Sequence, residues 1–183
     1  MAVSPEKQVE AAIEIAIRSG LPLKIAAKVD RADREFFETV VRPLLAHPLV
    51  EFIGEIGEAE KGKFLGEACA LLFPIDWPEP FGLVMIEAMA CGTPVIARRR
   101  GAVPEVMVDG VTGFVIETND EAVAALGKLP QISRRRCREV FEHRFTAARM
   151  ADEYVRVYEQ LIEKKTRQAP TMTFGNFASA ASA

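Results

Sequence analysis

The chain has 183 residues, 49% of them hydrophobic and 27% charged, with a formal net charge of −3. That length supports one domain with its own core, and the balance of apolar and charged residues excludes wholesale disorder. An acidic total argues against nucleic acid as a main partner, because a phosphate backbone calls for a dominant basic surface. The longest apolar stretch, Phe81 to Ala97, is interrupted by Glu87, Gly92 and Pro94, so no membrane span is expected. Glu6, Glu10 and Glu14 rule out reading the first residues as a secretory signal, and a cytoplasmic location is expected. Cys69, Cys91 and Cys137 have no CxxC spacing and read as small core residues. With His47 and His143 as the only histidines, no metal site is expected.

In chain order, Ser4-Pro5-Glu6 opens a helix, with serine as cap and proline at the first helical position. Val9, Ala12, Ile13, Ala16 and Ile17 follow at helical spacing until Ser19-Gly20. Leu23 to Val29 reads as a buried strand. Asp30 starts a helix whose apolar pairs Phe36-Phe37, Val40-Val41 and Leu44-Leu45 step by four, with Pro48 as its stop. Val50, Phe52 and Ile56 mark a strand. A short helix through Phe64 and Leu65 and a strand from Cys69 to Phe73 come next.

Beyond a proline-rich loop (Pro74, Pro78, Pro80) a helix begins at Phe81-Gly82-Leu83 and ends at Gly92. Pro94 to Ala97 is a strand, Val103 to Val108 a short helix, Asp109-Gly110 a turn and Gly113 to Ile116 the last strand. Three helices follow: Asp120 to Lys128, Arg134 to His143 and Ala147 to Lys165. Alternating strands and helices call for a parallel sheet with helices on both faces, an α/β Rossmann-like domain over 1–165. Residues 166–183, rich in small side chains, read as a flexible tail.

The strand-to-helix junction at Phe81-Gly82-Leu83 is where chemistry concentrates. The first N–H groups of a helix have no partner inside it and carry the positive end of the dipole, which makes a seat for phosphate. Glu79 and Glu87 bracket this seat. Ionised carboxylates only accept hydrogen bonds, so their natural partners are hydroxyls. A diphosphate flanked by two polyhydroxyl rings satisfies both, and a nucleoside diphosphate sugar has that form. Trp77 either walls such a pocket or closes the end of the core. Arg98-Arg99-Arg100 either draws in an anion or forms a solvated loop. Arg134-Arg135-Arg136 and Arg138 read as a solvated helix face.

The run EPFGLVMIE, Glu79 to Glu87, with the following AMACGTPVIA and Gly101-Ala102-Val103-Pro104-Glu105, resembles the Glu-x7-Glu motif of retaining glycosyltransferases of the GT-B fold, in particular family 4 (glycosyl transferases group 1). The resemblance spans Ser4 to Lys165 and implies the C-terminal, donor-binding domain of such an enzyme. It implies retaining transfer of a sugar, hexosyltransferase-like, from a nucleoside diphosphate sugar to an acceptor hydroxyl, with no metal and no cofactor. Glu79 would hold the transferred sugar, which makes it the nearest to a catalytic residue. Glu87 would hold the ribose, Phe81, Gly82 and Leu83 would offer backbone donors, and Lys7 would neutralise the diphosphate. Gly101 fits a point where backbone approaches ligand. Ile56-Gly57-Glu58 looks like the loop bordering the base or is a plain turn.

Two departures stand out. Gln8 replaces the glycine that follows the lysine in the family pattern, and Met1-Ala2-Val3 stands where an arginine usually precedes it. An N-terminal acceptor domain, or a separate chain, would be the partner needed for turnover. A non-catalytic donor-binding module or split transferase subunit, and an epimerase or phosphorylase relative, are the rival readings. The central strand before Ser4 is also largely missing. Either its two neighbours close up, Leu23 to Val29 pairing directly with Cys69 to Phe73, or another chain donates a strand. Closure is the expected outcome.

Overall fold

The computed structural model describes Val3 to Gln168. Two compact units make up the chain, Met1–Phe145 and Thr146–Ala183. In the first, a single 3₁₀ turn, Pro5–Lys7, leads into α1 (Val9–Ser19) and β1 (Leu23–Ala26). Then come α2 (Arg34–Phe36), a π-helical turn (Phe37–Val41), α3 (Arg42–Leu44), β2 (Val50–Gly54), α4 (Glu58–Glu67) and β3 (Leu71–Phe73). The order continues with α5 (Leu83–Ala90), β4 (Val95–Arg98), α6 (Val103–Val106), β5 (Gly113–Ile116), α7 (Asn119–Lys128) and α8 (Arg134–Arg144). The second unit carries α9 (Ala147–Gln168). The fold is the expected α/β class, parallel strands flanked by helices.

Strand pairing corrects the expectation of closure. The strands form two parallel ladders, β1–β2 and β3–β4–β5, and β1 does not pair with β3. The start of the chain keeps them apart. Val3, fully buried, donates its N–H to the Lys28 carbonyl at 2.9 Å just beyond β1, while the Glu6 carbonyl accepts from Asp76 just beyond β3 at 2.9 Å. The segment is thus wedged between the ends of the two ladders and satisfies groups on each side. Helix α1 bridges the same division. Its Ile13 packs in the core of the β1–β2 ladder with Val3, Ala27 and Val41, and its Ile15 joins Ile96, Ile116 and Ala122 beneath the other.

Within β4 successive side chains serve opposite faces. Val95 and Ala97 join Phe73, Met85, Met89 and Val103 in the core under α5, whereas Ile96 faces α7. This two-sided burial explains why the strand reads as a continuous apolar run.

The helix expected after Asp30 has a wide turn at its centre. Pro43 lacks an N–H and its ring crowds the carbonyl four residues earlier, so the ladder shifts, and Arg42 donates to Phe37 five residues back. Apolar pairs four apart drift by roughly 40° per turn in a regular α-helix, and the wide turn takes up that drift.

The α8 arginines are not simply a solvated face. Arg134 donates to the carbonyls of Gly66 and Ala68 at 2.6 and 2.7 Å, Arg138 to that of Ala90, and Arg144 to those of Glu105 and Val106. One helix thereby places a cation at the carboxyl ends of α4, α5 and α6, where dipoles and orphan carbonyls favour it. Of the three cysteines only Cys137 is buried, and Cys69 is exposed.

α9 is amphipathic, with Met150, Tyr154, Val157 and Leu161 exposed along one side and Arg149 paired with Glu153 at 2.8 Å. It runs through Thr166 to Gln168, into the stretch read as a tail. The rest of that stretch lies outside the described residues.

Candidate functional site

The loop from β3 to α5 is anchored by Phe73 and Ile75, which are 2% and 0% exposed. Its backbone is then carried past Gly101. Ala102 donates to the Glu79 carbonyl at 2.8 Å, and a Cβ on Gly101 would stand 2.3 Å from that same oxygen. Gly101 also has φ +51, a conformation that favours glycine. The close approach expected at Gly101 is therefore made by the Glu79 peptide. Gly82, at φ +76, turns the chain into α5, and Met85 donates to its carbonyl at 2.9 Å.

The Glu79 side chain is 16% exposed. Its Oε2 accepts from Lys7 Nζ at 2.8 Å and from the indole N–H of Trp77 at 2.9 Å. The Lys7 ammonium also lies 5.4 Å from the Trp77 ring centroid. Burial pushes the Glu79 carboxyl up, but hydrogen bonds from Lys7 and Trp77, the Lys7 charge and the Gly82 N–H together outweigh it, and the group is held below its ordinary range. Lys7 is positioned by the turn Pro5–Lys7, which ends on Gln8 at φ 53 and ψ 49. The position where the family pattern has glycine is thus left-handed here, and the Gln8 side chain donates to the Pro5 carbonyl at 3.0 Å. A non-glycine residue there costs roughly 1 kcal/mol.

Glu87, one turn into α5, accepts from Lys61 Nζ at 2.9 Å. Lys61 also reaches Glu58 at 2.8 Å, and the two carboxylates hold its ammonium above the ordinary lysine range. Lys61 is a site residue the sequence reading missed. The one local signal was Glu58 three residues before it, on the same helical face. Gly57 opens α4, its N–H donating to the Glu60 carboxylate at 3.0 Å. Helix α4 thus brings the Gly57-Glu58 turn beside α5 through Lys61.

Phe81 and Leu83, on either side of Gly82, are 41% and 64% exposed, and Phe81 meets Phe145 edge-on at 6.2 Å. Gly82 itself is buried between these two exposed apolar side chains. The triple arginine is engaged within the fold: Arg98 with Asn119 at 2.8 Å, Arg99 with Glu117 at 2.9 Å, Arg100 with Asp76 at 3.0 Å. Lys7, Glu79, Gly82 and Gly101 converge on one cluster. Glu87 stands in a second cluster with Lys61, farther along the same helix.

Comparison with known proteins follows the same lines. Residues 3–140 match the family described as Glycosyl transferases group 1. The chain is 32% identical over 148 residues to the D-inositol 3-phosphate glycosyltransferase of Stackebrandtia nassauensis, covering 77% of this chain and 30% of that protein. It is 30% identical over 138 residues to the phosphatidyl-myo-inositol mannosyltransferase of Mycobacterium leprae, covering 72% and 36%. Among solved structures it is similar to AviGT4, a glycosyltransferase involved in avilamycin A biosynthesis, with TM-score 0.75, 27% identity and coverage of 88% and 50%. It is also similar in fold to Anabaena Alr3699/HepE in complex with UDP and glucose, with TM-score 0.74, 18% identity and coverage of 87% and 47%. The chain spans about a third of the length of these curated relatives. Among the described residues no helix is long and apolar enough to cross a membrane.

Proposed function

The chain belongs to the glycosyl transferases group 1 family, and from that premise we propose that it is the donor-binding half of a retaining, family 4 GT-B glycosyltransferase. The observation that carries this reading is the pair of lysine-held carboxylates, Glu79–Lys7 and Glu87–Lys61, on either side of the amino end of α5. A diphosphate laid on that end draws the Lys7 ammonium and the N–H groups of Gly82 and Leu83, while Glu79 turns its acceptors to the sugar and Glu87 to the ribose. Charge that grows on the departing diphosphate as the glycosidic bond breaks is stabilised by Lys7 and the helix end, where such an enzyme gains most of its rate. No metal or cofactor enters this scheme, and the setting is cytoplasmic.

Titration calorimetry of the chain with UDP-, GDP- and ADP-sugars tests it. One of them binds, and Glu87→Ala weakens that binding by about 1–3 kcal/mol through loss of a charge-assisted hydrogen bond. No heat with any donor overturns the reading.

Acceptor binding would fall to an N-terminal domain or a separate chain, since this chain spans only about a third of its curated relatives. A second reading is a donor-binding module or split subunit. In both, the isolated chain transfers no sugar, and turnover of about 1 per second or faster in a product assay with this chain alone removes the need for a partner.

A further inference from the structure

Trp77 is the sole tryptophan of the chain and lies in the loop before α5, 37% exposed. Here the indole N–H donates to Glu79 Oε2 at 2.9 Å, and the ring lies 5.4 Å from the Lys7 ammonium, which donates to that same oxygen at 2.8 Å. Two side chains from two segments therefore meet on one carboxylate oxygen. An ionised carboxylate has about four acceptor positions over its two oxygens, so Glu79 keeps acceptor capacity beyond the Lys7, Trp77 and Gly82 donors.

The geometry points to Trp77 as a positioning residue for the donor sugar: it locks Glu79 Oε2 and Lys7 into one fixed group and leaves Glu79 Oε1 to accept from a sugar hydroxyl. This rests on the donor-binding reading above. The terminal torsion of a glutamate is broad, and Lys7 carries its charge on a flexible four-carbon stem. The indole removes both freedoms before the sugar arrives. Its N–H sets the plane of the carboxylate and its face holds the ammonium by a cation–π contact. Ordering done in advance is not paid at binding.

Calorimetry with UDP and with UDP-glucose on the wild-type chain and on Trp77→Phe, which keeps a ring under Lys7 but lacks the N–H, separates positioning of the sugar from general damage. UDP-glucose affinity falls about tenfold, the equivalent of about 1.4 kcal/mol, and UDP affinity is unchanged. In the donor-free protein, the single indole N–H resonance moves upfield in Glu79→Gln, where the acceptor loses its charge. In the wild-type protein UDP, which draws on Lys7 and not on Glu79, moves it to one position and UDP-glucose moves it to another, a readout that holds should Trp77→Phe fail to fold. Equal losses for both ligands, no loss for either, or an indole resonance indifferent to Glu79→Gln or shifted alike by both ligands overturns this inference alone. A wild-type chain that binds GDP- or ADP-sugars in place of UDP-glucose is tested in the same way with that donor and its nucleoside diphosphate, and one that binds none of the three overturns the donor-binding reading, and this inference with it.

Discussion

Glu79 and Glu87 each hold a lysine at nearly the same distance, 2.8 and 2.9 Å, yet the two pairs are built differently. Glu79 sits in a loop whose backbone is pressed against Gly101 and bonded to Ala102, its partner comes from 72 residues away, and a tryptophan shares its oxygen. Glu87 stands on a regular helix, 34% exposed, and its lysine is shared with Glu58, whose side chain is 86% exposed. The first is a shielded pair in a loop with few alternatives, and the second is a surface bridge with a spare acceptor. An enclosed carboxylate keeps its geometry without ligand, whereas an exposed one is ordered chiefly when something binds. The contrast suits the roles proposed for them, a fixed aim at a sugar for Glu79 and a looser hold on a ribose for Glu87.

The largest effect that would break this comparison falls on the backbone under Glu79. Gly101→Ala brings a Cβ to 2.3 Å from the Glu79 carbonyl at φ +51, and urea unfolding should show a loss of about 3 kcal/mol or more. On the Glu87 side, Gly62 of α4 has nothing within 4 Å of a Cβ, so Gly62→Ala should gain about 0.5–1 kcal/mol. If both glycines behave alike, the loop is not held as described.

Next in size is Lys7→Met, expected to cost about 1–3 kcal/mol at pH 7 by leaving Glu79 largely shielded with only neutral donors. Because the folded Glu79 carboxyl lies below the ordinary 4.5, its contribution is present above that pH and is lost as pH falls through the folded value. The difference between wild type and Lys7→Met, followed by denaturant midpoint, should therefore shrink below about pH 4.5. A gap that stays constant from pH 7 to pH 3 argues that Lys7 acts through packing.

Smallest is Lys61→Met. An exposed bridge of this kind is worth about 0–1 kcal/mol, and its unfolding midpoint should stay near that of the wild type. A loss as large as that of Lys7→Met would erase the distinction between the two pairs.

Much of this could be read without coordinates. The strand Gly113–Ile116 and helices α5, α7 and α8 fall where periodicity and capping residues place them. Helix starts, turn glycines and apolar periods are written within a few neighbouring residues and need no distant partner. The segment Phe81-Gly82-Leu83 is a helix start for that local reason, and the carboxylates bracketing it are placed by sequence, Glu79 in the loop before it and Glu87 a turn into the helix. The wide turn at Phe37–Val41 was legible too, in Pro43, but the regular step of the apolar pairs masked it.

Other features are decided only in three dimensions. Whether β1 and β3 close up depends on Val3 and Glu6 reaching carbonyl and amide groups at the ends of different strands, and on α1 packing Ile13 and Ile15 into different cores. The arginines of α8 look solvated in sequence because the carbonyls they cap, at Gly66, Ala68, Ala90, Glu105 and Val106, belong to three other helices. Spacing determined that two glutamates bracket a helix start, and the family resemblance added Lys7 to that candidate site. The tertiary structure decided which cation meets which carboxylate, and that Trp77 and Gly101 serve Glu79. A charge acts over a few ångströms in space, and a folded chain brings residues 72 apart within that reach as readily as neighbours.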